Sequence, residues 1–355
     1  MRRLLTLTIL FIAVAATITA QPLPKMFAHR GCWSKIVPEN SIFGVGRAAQ
    51  HGYMGIECDV KLTKDGKMVI MHDKTINRTC RNASDYSELT NPISVSDITF
   101  KELRQNYVLA SSNPDYRTPV PTLEEILKEC KKHNIVPMLH SKYVESYRLA
   151  QKIMGDNWVC FTNNVEGIKE CRKFSKCLIL YAVKKKTAES AFEVLPQLGG
   201  KVGVSSMERE ALTRDRIKRL RDLGYEVQSS IYLSPREVYA VRDGATIILS
   251  DFSLMPDPDN KPVKVVTLDP QTFAQGKTLT ISADEKVENG GVAIDIEFEG
   301  TLEFSYDKKT FFTLHNNGSQ HDRFGMRFIK RKGSIKLHGV EETKIKSAKV
   351  YFYEF

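Results

Sequence analysis

From Lys25 to about residue 252, short apolar runs alternate along the chain with stretches of helical period. The runs at 25–31, 55–63, 135–142, 158–163, 177–184, 201–206, 225–233 and 246–252 read as strands. Between them, TLEEILKECKKHN (122–134) and RDRIKRLRDLG (214–224) place apolar residues three and four apart, and Gly224 closes the second as a helix C-terminal signal. Eight strands separated by helices over roughly 230 residues predict a TIM (β/α)8 barrel. The excursion from Lys64 to Pro121 is too long for one connection and predicts an elaborated loop. After the Pro- and Asp-rich break MPDPDNKP (255–262), the period changes to two, in eight short runs with turn residues between them. That alternation predicts a small all-β sandwich of about ninety residues. The expected organisation is a barrel over 21–258 and a β-sandwich over 263–355.

The first twenty residues follow neither pattern. Arg2 and Arg3 precede an apolar run from Leu4 to Ala16, and Ala20 suits cleavage before Gln21. This reads as a signal peptide, with a periplasmic or secreted destination and no transmembrane segment. With 42% hydrophobic and 26% charged residues, neither a disordered nor a collagen-like chain is compatible. The net charge of +10, two units of it from Arg2 and Arg3, suits an anionic substrate or simply a solvated exterior. No basic run is interleaved with aromatics, so nucleic acid is not an expected partner. The seven cysteines show no CxxC pair; Cys171 and Cys177 flank a helix-to-strand turn as a candidate disulfide, against the ordinary alternative of buried free thiols.

The chemistry gathers at the ends of the predicted strands, where such barrels carry their active sites. His29-Arg30-Gly31 ends the first strand and is followed by Pro38-Glu39-Asn40-Ser41. In the second, Glu57 and Asp59 stand two apart, so both carboxylates face one way and Cys58 the other. Two such carboxylates repel unless a cation lies between them or one is protonated. The Asp65-Gly66 turn folds the chain back and returns His72 toward the strand of Glu57 and Asp59. On the third strand, alternation places His140 and Lys142 on one face. His51 and His133 fall near helix ends and read as structural residues.

The run AHRG, PENS, GIECDVKLTKDGKMVIMHD and a following arginine resembles the signature of the glycerophosphodiester phosphodiesterase family. The resemblance extends over the predicted barrel and leaves the β-sandwich outside. It implies a phosphoric diester hydrolase acting on a small-molecule phosphodiester, with His29 and His72 as the acid–base pair. It implies one divalent metal ion (Mg, Mn, Ca or Zn) on Glu57 and Asp59, phosphate contacts from Arg30 and Lys142, and an orienting role for Glu39. The attacking oxygen is that of water or of a substrate hydroxyl.

Two departures from the family's pattern bear on these expectations. A third acidic metal ligand is usual on the third strand, and here that position is His140, a neutral and softer donor expected to complete the metal site and to favour Mn²⁺ or Zn²⁺ over Ca²⁺. On the seventh strand, Gln228-Ser229-Ser230-Ile231-Tyr232 replaces the usual Trp-Thr pair, so a bulkier or more polar alcohol than glycerol is compatible. The competing readings are a non-catalytic glycan- or phosphate-binding protein on a relic barrel, and a barrel enzyme of altered chemistry. The sandwich is open to a stabilising role or to carbohydrate or surface contact.

Overall fold

The computed structural model describes residues 25–34, 36–51, 53–208, 211–231, 244–250, 262, 264–270, 278–282, 289–306, 309–329 and 334–354. The signal peptide expected at 1–20 and the break at 255–261 lie outside the described residues.

In chain order, the barrel region contains β1 (Lys25–Ala28), α1 (Ile42–Gln50), β2 (Gly55–Leu62), β3 (Met68–Ile70), β4 (Cys80–Asn82), α2 (Phe100–Asn106) and β5 (Tyr107–Leu109). It continues with α3 (Leu123–His133), β6 (Val136–His140), α4 (Val144–Met154), β7 (Val159–Thr162), α5 (Val165–Arg172) and β8 (Leu178–Ala182). Then follow α6 (Ala191–Leu198), β9 (Val202–Ser206), α7 (Arg214–Asp222), β10 (Glu226–Ile231) and β11 (Ile247–Ser250). Parallel pairing runs β1–β11–β10–β9–β8–β7–β6–β2, and β2 returns to β1 through Phe27↔Gly55 and Ala28↔Ile56. The eight strands therefore close into the barrel that the alternation predicts.

Local sequence explains where the elements stop. Thr122 caps α3 by accepting from the Glu125 N–H at 3.1 Å, while Glu125 Oε2 accepts from the Thr122 N–H at 2.7 Å. At the other end Asn134 takes the left-handed conformation, φ 55°. Inside the barrel, Phe27, Met138, Phe161, Leu180, Ile247 and Leu249 form a closed apolar plug. Gly55 makes room for it: a Cβ there would lie 2.2 Å from Phe27 Cε1 and 2.3 Å from the Val136 carbonyl oxygen. A larger core, including Trp158, Tyr147 and Leu127, fills the space between strands and helices. The excursion from Lys64 to Pro121 has a core of its own, built on Val69, Met71, Ile76, Leu103 and Leu109, which holds it as a structured wall beside the barrel mouth.

The C-terminal part is all-β, with β12 (Lys264–Thr267), β13 (Thr278–Ser282), β14 (Asn289–Tyr306), β15 (Lys309–Ile329) and β16 (Ser334–Glu354). Among the described residues, fewer and longer strands appear than the eight short runs predict. The turn-like residues Gly300 and its neighbours are absorbed as register shifts within β14, at Phe298/Gly300 against β15 and at Glu299/Thr301 against β16. Gly300 adopts φ 103° there, and alternation resumes on the far side. Ile294, Ile296, Phe298 and Leu302 of β14 are buried with Ala348, Val350 and Phe352 of β16. No helix among the described residues is long and apolar enough to cross a membrane.

Candidate active site

The strand that carries the acidic pair extends past the barrel rim. β2 runs to Leu62 and pairs with the antiparallel β3, Val60 opposite Ile70 and Leu62 opposite Met68. Gly66 turns the hairpin at φ 76°, and Thr63 Oγ1 donates to Asp65 Oδ1 at 2.6 Å. The return leg stays in register, since the Met71 N–H donates to the Asp59 carbonyl at 2.9 Å, which sets His72 beside the acidic strand.

Glu57 and Asp59 are 1% and 2% exposed, while Cys58 between them points into the outer core. Burial first, and the charge of Asp59 second, push the Glu57 carboxyl well above the ordinary glutamate range, against the pull of His29, His140 and Arg30. Burial also works to raise Asp59, but the His140 hydrogen bond and the charges of His140, His72 and Arg30 outweigh it and hold Asp59 low. His140 Nδ1 lies 2.9 Å from Asp59 Oδ1 and 3.9 Å from Glu57 Oε1. Its ring stacks on Phe161 with centroids 4.6 Å apart. Loss of solvent works against His140 protonation, yet the bond to Asp59 and the two carboxylate charges raise its pKa. One donor atom from each of Glu57, Asp59 and His140 falls within 4.8 Å of the others.

This donor set fits a divalent cation. Two buried carboxylates turn oxygen donors into one site, and a nitrogen donor completes a compact face. Asn40 adds to the fit: its Nδ2 is 3.5 Å from Asp59 Oδ2, and its Oδ1 is buried without a hydrogen-bond donor.

Around the cluster stand the basic side chains. His29 is buried, with Nε2 3.9 Å from Glu57 Oε2. Arg30 sits at φ 58°, and its backbone N–H donates to Glu57 Oε2 at 3.2 Å. Its Nη1 donates to Glu39 Oε1 at 3.1 Å, and its Nε, 3.8 Å from Asp59 Oδ2, is buried without an acceptor. Glu39 is shared: Arg78 Nη1 and Nη2 donate to its two carboxylate oxygens, both at 2.8 Å. The same guanidinium donates through Nε to Asp73 Oδ2 at 2.6 Å, and His72 Nδ1 donates to Asp73 Oδ1 at 2.6 Å. The Arg78 bond above all, against the effect of burial, holds Asp73 well below the ordinary aspartate range. An ionised Asp73 keeps the proton on His72 Nδ1, which leaves Nε2 as the open nitrogen. One line of contacts thus runs Arg30–Glu39–Arg78–Asp73–His72.

Sequence reasoning gave Asp73, Arg78 and Asn40 no role, although each stood inside or beside a motif already singled out. The available signals were the His-Asp dipeptide and an arginine one strand-turn later. Lys142 is not on the strand alternation expected for it, because β6 ends at His140; it is exposed, lines the same pocket as His140, and its Nζ is 5.5 Å from the Tyr143 ring centroid. Gln228, buried and bonded to Ser205 Oγ at 2.7 Å, faces the barrel interior, and the remainder of the departure at Tyr232 lies outside the described residues. Cys171 and Cys177 lie with sulfurs 4.0 Å apart as two free, buried thiols rather than a disulfide.

Residues 29–165 match the Glycerophosphoryl diester phosphodiesterase family. Over 113 residues the chain is 36% identical to glycerophosphodiester phosphodiesterase 1 of Mus musculus, covering 30% of each chain. It is 44% identical over 80 residues to a glycerophosphodiester phosphodiesterase of Caldanaerobacter subterraneus, 22% of this chain and 29% of that one. The matched segment thus spans about a third of these curated relatives' length or less. The fold is similar to that of a phosphodiesterase from Oleispira antarctica in complex with the product sn-glycerol-3-phosphate, with TM-score 0.54, 20% identity, and 65% of this chain covering 94% of that one. A glycerophosphoryl diester phosphodiesterase fold from Silicibacter pomeroyi matches with TM-score 0.53 and 18% identity over 65% of this chain and 91% of that one.

Proposed function

We propose that this chain, whose residues 29–165 belong to the glycerophosphoryl diester phosphodiesterase family, is a divalent-metal-dependent phosphodiesterase that cleaves a glycerophosphodiester-like small molecule to an alcohol and a phosphomonoester. The observation that carries it is the buried pair Glu57 and Asp59, ringed within one site by His29, Arg30, His72 and His140. A binding module has no use for two proton carriers beside a carboxylate pair. This favours catalysis over the relic-barrel reading.

Glu57, Asp59 and His140 would hold the cation, which when bound supplies positive charge to a non-bridging phosphate oxygen. The Arg30 Nε–H, lacking an acceptor, and the Lys142 ammonium supply further donors to that phosphate. Bond-making needs a proton taken from the attacking oxygen, and bond-breaking needs a proton given to the departing one. His29 and His72 fill these two roles, and Asp73 fixes the His72 tautomer that leaves Nε2 open. Glu39 orients Arg30 and, through Arg78, the Asp73–His72 pair.

We place the enzyme in the periplasm or outside the cell, a reading supported by the apolar leader at 1–20. Carbohydrate or surface contact, one of the two roles open to the C-terminal domain, finds no support among the described residues. The test is turnover of a phosphodiester panel with Mg²⁺, Mn²⁺, Zn²⁺ and Ca²⁺ by the wild type and by the folded variants His29→Ala and His72→Ala. Turnover lost in both supports the proposal; a wild type inactive with every diester and metal sinks it.

A further inference from the structure

Beside the carboxylate cluster lies a pocket of about 490 Å³, and His140 belongs to both. Its walls come from the end of β2, the segment after β3, the single helical turn at Val95–Asp97, and the ends of β6 and β7. This wall is fixed by backbone bonds: the Val95 N–H donates to the Lys74 carbonyl at 2.9 Å, and Thr75 bridges Ser94. The volume falls in the range that holds a drug-sized ligand and exceeds what a three-carbon alcohol fills.

Its charge is one-sided. Lys61, Lys74 and Lys142 all line it, no carboxylate does, and none of the three lysines pairs with a carboxylate among the described residues. Lys61 continues the file Glu57, Asp59, Lys61 along one face of β2, so an ammonium follows the acidic pair one step beyond the barrel rim. Its charge reaches His140. Ser94 and Ser96 stand on the opposite wall with hydroxyls 2.9 Å apart, and Ser96 Oγ donates to Asp97 Oδ1 at 3.1 Å, outside the lining. Three compact, rotatable cations gathered without counter-ions form a site for an oxyanion.

We propose that this pocket is a subsite for a second anionic group on the substrate, so that the alcohol seated there carries its own phosphate. The reading rests on the phosphodiesterase assignment for the scissile bond; Lys61 and Lys74 recognise what lies beyond that bond. A diester with a neutral alcohol leaves these two cations unanswered.

The test is binding of two phosphomonoesters, glycerol 3-phosphate and glycerol 1,3-bisphosphate, by calorimetry on the metal-loaded full chain. Neither requires turnover, so the outcome is independent of whether the diesterase reading stands. The bisphosphate should bind wild type about tenfold more tightly, and Lys61→Ala/Lys74→Ala should lose that preference while retaining glycerol 3-phosphate binding. The exposed single variant Lys74→Ala, which disturbs no packed side chain, should lose part of it. Equal binding of both ligands by wild type, or an undiminished preference in the double variant, overturns the proposal.

Discussion

Arg78 tests whether the line of contacts behind the site matters to its chemistry. Its guanidinium makes four bonds, two to Glu39 at 2.8 Å and two to Asp73 at 2.6 and 3.1 Å. The Arg78 side chain is half exposed, so solvent screens it, whereas Glu39 is 10% exposed. Two screened ion pairs with one buried end amount to about 1–2 kcal/mol, a loss that should lower Tm by roughly 2–8 °C in Arg78→Ala. Catalysis should suffer more than stability. With Asp73 released, the His72 ring loses its anchor, and a misplacement of that kind costs on the order of 10- to 100-fold in kcat. KM should change little, because Arg30 and Lys142 remain. Arg78→Lys restores the charge without the two-pronged geometry, and should recover more of the Tm than of the kcat. The pH dependence of Tm gives a further check. Asp73 is held below its unfolded pKa of about 3.9, so its pairing stabilises fully above that pH and fades as pH falls further. The Tm gap between wild type and Arg78→Ala should therefore narrow on acidification below about pH 4. An unchanged kcat in a folded Arg78→Ala protein would refute the positioning role, and a gap that widens in acid would refute the electrostatic one.

Gly55→Ala should cost about 3 kcal/mol or more in urea unfolding, because the added methyl meets a backbone carbonyl and the Phe27 ring at 2.2–2.3 Å; a loss under about 1 kcal/mol would mean that the barrel plug is far softer than described. His140→Ala should lower bound Mn²⁺ or Zn²⁺ at least about tenfold by elemental analysis, with equal occupancy in both proteins removing His140 from the ligand set. Burial pushes the Cys32 thiol up to about 11 and the Cys80 thiol up to about 12. A thiol reagent at pH 8 should accordingly find none of the seven cysteines in the native protein and all seven in denaturant.

The barrel was legible because each of its strands is a short apolar run set off by turn residues, and because helices such as α3 announce both ends, Thr122 and Asn134, in the sequence. The acidic pair was legible for a similar reason: residues two apart on a strand need no tertiary information to share a face. What stayed hidden depended on where a strand ends or on contacts across long separations. Lys142 could not be placed by alternation once β6 stopped at His140. Arg78 reaches Glu39 across 39 residues, a closure that the excursion's own core arranges and no local pattern records. In the C-terminal part, Gly300 reads as a turn but serves as a bulge, since only its partners across β15 and β16 show that the strand continues.

Arg30 and Asn40 both hold left-handed backbone, at φ 58° and 54°, and the Asn40 N–H donates to the Arg30 carbonyl at 2.7 Å. Asparagine visits that conformation readily, whereas an arginine there costs roughly 1–2 kcal/mol that glycine would not incur. Stability and activity therefore pull in opposite directions at Arg30. A directed-evolution campaign scored on heat resistance alone would drift toward glycine at Arg30, and its hardiest survivors would be those that had given up the guanidinium beside Asp59.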